Sequence, residues 1–157
     1  MNIPTPRGTV TVTVEEDDGA LRGVTLGPGV SGSVGDGAGD REMPWRGWLG
    51  AYARREPEPV LNAWLPEATT PFQHRLRRVL LAIPFGETRR YGEVAAELGS
   101  SPRAVGRALA SNPLPLMIPC HRVVARDGLG GFQGGETEET LWIKAGLLAH
   151  ESGHGVG

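Results

Sequence analysis

Between residues 70 and 111 the chain divides itself into three short helices, and this restricts the possible folds more than any other feature. Thr70-Pro71 and Ser101-Pro102 each set a capping hydroxyl ahead of a proline, whose missing N–H costs nothing in the first helical turn. The first helix is expected over residues 71–82, with Phe72, Leu76, Val79, Leu80 and Ile83 at helical spacing. Ile83-Pro84-Phe85-Gly86 ends it. The second is expected over residues 91–98 and closes at Gly99. The third runs from Pro102 to about Ser111. Two short helices joined by a tight glycine-containing turn make a helix-turn-helix. On the third helix Ala104, Val105, Ala108 and Leu109 point inward, while Arg103, Gly106, Arg107 and Ala110 point out. That outer face is small and cationic, so backbone can come close to a phosphate-lined groove. Helix-turn-helix geometry alone does not establish DNA binding, because many helical pairs bind nothing.

The first third of the chain reads differently. Residues 9–14 spell TVTVTV, a β-branched strand pattern; residues 15–19 form a turn, and residues 21–26 a second strand. A hairpin is expected. Residues 27–39 are rich in Gly and Ser and are expected to form a mobile loop. Residues 45–54 suit a short helix with Trp48, Leu49 and Tyr52 on one face, broken by Glu56-Pro57-Glu58-Pro59. No internal repeat is present. The expected fold is α/β: a small hairpin-containing α/β domain over 1–65, then a mostly helical, winged-helix-like domain with the helix-turn-helix over 66–157.

Charge is unevenly spread. Residues 1–67 hold six Arg against ten acidic residues; residues 68–157 hold nine Arg and one Lys against eight. Between Arg75 and Arg126 nine Arg face only Glu87, Glu93 and Glu97. Such a segment suits a local anionic partner, although a solvated face fits the charge equally well. No apolar run nears the roughly 20 residues that cross a bilayer. Residues 1–13 carry no signal-type stretch. The expectation is a cytoplasmic protein without membrane contact.

Cys120 is the chain's one cysteine, which excludes an internal disulfide and a Cys-rich zinc site. A lone cysteine is commonly an inert, buried small hydrophobe. Here an apolar strand within residues 112–124 is expected to deliver a Cys120-His121 pair beneath the third helix. A thiol is mostly protonated at neutral pH and needs a base or a positive field to act as a nucleophile. Neighbouring strand residues point to opposite faces, so a direct His–Cys contact needs a turn or a bridging water. Glu151 is a candidate to orient the imidazole; a surface carboxylate at a helix end is the plain alternative.

These motifs resemble a known family. Ile118-Pro119-Cys120-His121-Arg122-Val123 is similar to the active-site motif of the O6-alkylguanine-DNA alkyltransferases, the methylated-DNA–protein-cysteine methyltransferases. Phe72-Gln73 with Ile83-Pro84-Phe85-Gly86-Glu87-Thr88, Tyr91-Gly92-Glu93-Val94-Ala95, Arg103-Ala104-Val105-Gly106, Asn112-Pro113, Gly130-Gly131-Phe132-Gln133-Gly134-Gly135 and Leu147-Leu148-Ala149-His150-Glu151 follow in the family's order. The similarity covers residues 70–151 and is weak over 1–65.

The resemblance implies that Cys120 attacks the alkyl carbon of O6-alkylguanine in double-stranded DNA, after the nucleotide is flipped out through the minor groove. His121 takes the thiol proton through a water, Glu151 holds His121, and Asn112 braces the turn before the active-site segment. Tyr91 donates to the guanine ring and helps extrude the nucleotide, and Arg103 fills the gap in the stack. Arg107, Ser101 and Arg122 complete the expected DNA-binding set. The carbonyls of Cys120 and Val123 accept from the guanine amino group; Pro115, Phe132, Gln133 and Gly134 line the substrate pocket. A thioether is stable and no second thiol exists, so one transfer consumes the protein. No cofactor, metal or obligate protein partner is implied, and a monomer is expected. The sequence departs from the family in a shorter turn before Arg103, in Phe132 for a tyrosine, in Gln133, and in a lengthened stretch over 136–143. The alternative is a non-catalytic, alkyltransferase-like lesion-binding protein, but those lack the cysteine. A Cys-His hydrolase would need an oxyanion hole that nothing here suggests.

Overall fold

The structure is a computed structural model that describes residues 2–17, 20–28, 44–56, 65–68, 70–131 and 137–152. It opens with three antiparallel strands in the order β1-β2-β3: β1 (Asn2–Thr5), β2 (Gly8–Asp17) and β3 (Ala20–Pro28). The expected hairpin is thus the larger part of a three-stranded sheet. β1 escaped the sequence reading because four residues interrupted by Pro4 carry no strand pattern of their own; pairing with β2, from Asn2 opposite Thr11 to Thr5 opposite Gly8, makes the strand. Residues 15–17, expected in a turn, continue β2, since Glu15 pairs with Gly23, Glu16 with Leu21 and Asp17 with Ala20. Between those pairs the register shifts and Arg22 is the extra residue. The bulge lets Leu21 and Val24, three apart, both face the core. Gly27 and Pro28, expected to begin a loop, belong to β3. The rest of that expected loop, residues 29–39, lies outside the described residues.

Helix α1 (Pro44–Ala53) buries Trp48, Leu49 and Tyr52 as the spacing predicts. Tyr52 is stacked on Trp48 at 5.4 Å and meets Phe85 edge-on at 5.5 Å. Burying each such aromatic is worth roughly 1.5–3 kcal/mol.

The three punctuated helices appear where their caps set them. In α2 (Pro71–Leu81) Thr70 accepts from the amide of Gln73. A two-residue strand β4 (Arg89–Arg90) leads into α3 (Tyr91–Leu98), which stops at Gly99 in the left-handed conformation, φ +63°. In α4 (Pro102–Ala110) Ser101 accepts from the amide of Ala104. Val105, Ala108 and Leu109 are buried, Arg103, Arg107 and Ala110 are exposed, and Ala104 and Gly106 fall between.

The segment after α4 corrects an expectation. Residues 114–119 form no strand: they fold into a turn bridged between Pro115 and Ile118, with Leu116 at φ +78°. A short 3-10 turn (Cys120–Arg122) follows, then β5 (Val123–Val124), parallel to β4. The last element, α5 (Glu138–Ser152), packs against all three N-terminal strands and the 3-10 turn. It buries Ile143, Lys144, Gly146, Leu147, Ala149, His150 and Glu151, more than one stripe, as suits a helix covered on several sides. One hydrophobic core joins residues from before and after position 65. The amide of Val24 also donates to the carbonyl of Pro113 at 2.9 Å. None of the helices among the described residues is long and apolar enough to cross a membrane.

Candidate active site

Cys120 opens the 3-10 turn and is buried. Burial pushes its thiol up to about 11, against the Asn112 side chain, the Lys144 charge and the amides of Cys120 and His121, which all favour the thiolate. The resting sulfur is therefore a thiol. Asn112 spans the turn before it: its Nδ2 donates to the Ile118 carbonyl at 2.9 Å and its Oδ1 accepts from the Leu114 amide at 3.0 Å.

His121 is fully buried, and its Nε2 is bonded to Oε2 of Glu151. Glu151 comes from the end of α5 and gathers further donors. Tyr52 Oη reaches Oε2 at 2.7 Å; Arg122 Nε and the Gly86 amide reach Oε1 at 2.7 and 3.3 Å. Burial alone raises a carboxyl pKa, but His121 and Arg122 together outweigh it and hold Glu151 at about 2. Burial lowers the pKa of His121, with Glu151 opposing. An ionised carboxylate can only accept, so the Nε2 of the neutral ring carries the proton. Its Nδ1, buried and without a hydrogen-bond partner among the described residues, is then a base. The 3-10 turn sets Cys120 and His121 on a bend rather than on opposite faces of a strand.

The remaining expected residues are spread around this centre. Tyr91, half-buried at the start of α3, donates to the Gly131 carbonyl at 3.1 Å. Gly130 sits at φ +72° against the Tyr91 ring, where a Cβ would come within 2.8 Å. Val123 is buried, and so is Pro115. Arg103 and Arg107 project from the exposed face of α4, whereas the Ser101 hydroxyl is engaged in its cap. Arg122 corrects an expectation: it is buried, with Nε on Glu151 and Nη1 donating to the Ile83 carbonyl at 2.9 Å, and so is not displayed to DNA. Phe132, Gln133 and Gly134 lie outside the described residues. Among those described, no three His, Cys, Asp or Glu gather as a metal site.

A family model described as "6-O-methylguanine DNA methyltransferase, DNA binding domain" matches residues 71–153. The chain belongs to the 6-O-methylguanine DNA methyltransferase family. A methylated-DNA–protein-cysteine methyltransferase of Methanocaldococcus vulcanius is 64% identical over 53 residues, 34% of this chain and 33% of that protein. The chain spans about a third of that relative and less than two thirds of the other first curated relatives it matches. Among solved structures, the O6-methylguanine methyltransferase of Mycobacterium tuberculosis superposes with a TM-score of 0.69 at 29% identity, covering 98% of this chain and 92% of that one. Mycobacterium tuberculosis OGT in complex with DNA gives 0.68 at 30% identity, covering 97% and 91%.

Two site residues of this family member were not read from the sequence. Lys144 is fully buried and donates to the carbonyls of Val123 at 2.7 Å and Gly131 at 2.9 Å, with Nζ 5.6 Å from the Tyr91 ring centroid. Burial brings its pKa down to about 8, opposed by Cys120. It is the chain's single lysine, a signal that was there to be used. Tyr52, read only as core, is also a ligand of Glu151.

The site sets an acid limit on stability. His121 and Glu151 both have folded pKa values below their ordinary 6.5 and 4.5. The unfolded chain therefore binds more protons on acidification, and stability present above those values is lost as pH falls. The Glu151 contribution, on the order of 3 kcal/mol, disappears between 4.5 and about 2. We expect Tm to fall most steeply in that window and Glu151→Gln to flatten the fall. Parallel curves for the two proteins would show that the carboxylate is not the group responsible.

Proposed function

We propose that this protein repairs double-stranded DNA by irreversibly transferring the alkyl group of O6-alkylguanine to Cys120. One observation carries the reading: a buried cysteine followed in the 3-10 turn by a buried histidine whose Nε2 is bonded to Glu151. His121 Nδ1 takes the thiol proton through one water. The sulfur electron pair forms the S–C bond as the C–O6 bond breaks; guanine leaves with the electrons of the C–O6 bond and receives the proton that His121 took from the thiol. The products are a thioether and guanine.

Tyr91 leaves the Gly131 carbonyl to donate to the guanine ring. The Val123 carbonyl has a second lone pair for the guanine amino group while Lys144 keeps the first. Arg103 occupies the space left by the flipped nucleotide, and Arg107 takes a phosphate. In this reading residues 1–65 are a supporting unit, and residues 66–157 a winged-helix-like DNA-binding unit. The protein acts as a cytoplasmic monomer without cofactor. Counting methyl groups lost from O6-methylguanine duplex tests the proposal: removal plateaus at one equivalent per active protein, and sustained turnover contradicts it.

A further inference from the structure

Among the described residues of the N-terminal part, Tyr52 places its side chain on Glu151 of the candidate active site. Tyr52, on α1, is fully buried and held at both ends by α5. Its hydroxyl donates to Oε2 of Glu151 at 2.7 Å, and its carbonyl is 2.9 Å from Nε2 of His150. Trp48, Phe85 and His150 enclose the ring, the last with centroids 5.2 Å apart. The oxygen it touches is the one that holds His121. Packing alone asks only for a ring here. A phenol hydroxyl aimed at a carboxylate that already has His121, Arg122 and the Gly86 amide is more than packing needs.

We infer that Tyr52 is a positioning residue for alkyl transfer, fixing the Glu151 carboxylate and moderating its negative charge so that His121 stays neutral and aimed at Cys120. The inference rests on the proposed role of Glu151. The charged and titratable groups around the pair are Arg122 and Cys120 from the 3-10 turn, Lys144 and His150 from α5, and Tyr52 from α1. Of these, only Tyr52 comes from the N-terminal part. The N-terminal unit then contributes to the chemistry and does more than support the fold.

Removing a hydrogen bond to the charged form raises a carboxylate's basicity. Without the hydroxyl, Glu151 pulls harder on the Nε2 proton, His121 becomes more basic, and a higher pH is needed to keep it neutral. The test is the pH dependence of single-turnover methyl transfer from duplex DNA by the full chain. In Tyr52→Phe the acidic limb moves to higher pH and the plateau falls about tenfold, the lower end of what losing the outer partner of a metal-bound histidine costs. DNA affinity stays unchanged. Trp48→Phe, which loosens the same ring stack but keeps the hydroxyl, lowers Tm and leaves the limb in place. Glu151→Gln, which removes the charge that raises the His121 pKa, moves the limb to lower pH and lowers the plateau. If Tyr52→Phe leaves the limb where it was while Glu151→Gln displaces it, Tyr52 only packs and the inference is wrong, although the role of Glu151 stands. If neither variant moves it, both fall together.

Discussion

Replacing His121 with alanine lowers methyl transfer at neutral pH by about a hundredfold or more, the scale of a positioned general base. The activity that remains climbs only as the solution turns alkaline. The reason lies in the sulfur. Burial holds the Cys120 thiol up near about 11, so few molecules carry a thiolate at neutral pH unless a neighbour removes the proton as the sulfur attacks. Asn112, Lys144 and two amides help the thiolate but do not overcome burial. The variant must be shown to fold, because it takes one partner from a buried carboxylate. Arg122, Tyr52 and the Gly86 amide still hold Glu151, so a native-like circular dichroism spectrum is expected. An unchanged pH–rate profile in folded His121→Ala would remove this residue from the mechanism.

Arg103→Ala slows repair of duplex DNA roughly tenfold or more while barely changing reaction with free O6-benzylguanine. Extruding a nucleotide costs a few kcal/mol, and each 1.4 kcal/mol of lost support is a factor of ten. Arg103 is exposed at the start of α4, with the half-buried Ala104 and Gly106 beside it, which suits insertion into a narrow groove. The free base needs no extrusion, so its rate reports the Cys120 site alone. Equal losses with both substrates would mean that Arg103 acts through the fold or the thiol.

What the sequence disclosed follows from how local its signals are. Thr70-Pro71, Gly99 and Ser101-Pro102 state the helix ends within a few residues, and α2, α3 and α4 lie where they say. β1 was not legible because its strand character comes from β2. Glu15, Glu16 and Asp17 read as a turn by composition, but pairing with β3 overrides that. The 114–119 segment is apolar enough for a strand, and tertiary packing bends it into a turn instead. At the site, the cysteine, histidine and glutamate were legible as a motif. The remaining ligands of Glu151 were not, since Tyr52 and Glu151 are 99 residues apart in the chain. Arg122 and Lys144 show the same limit. A cation beside a motif or on a helix reads as solvent-facing, and only the assembled fold shows these two buried among carbonyls and a carboxylate.

The most direct test of the central claim is to incubate the protein with duplex DNA carrying O6-methylguanine, digest it, and locate the adduct by peptide mass mapping. The account predicts one added methyl group, on the peptide containing Cys120 and on its sulfur, with restored guanine in the DNA and no adduct in Cys120→Ser. Demethylated DNA with an unmodified protein, or a methyl group on any other residue, would contradict it.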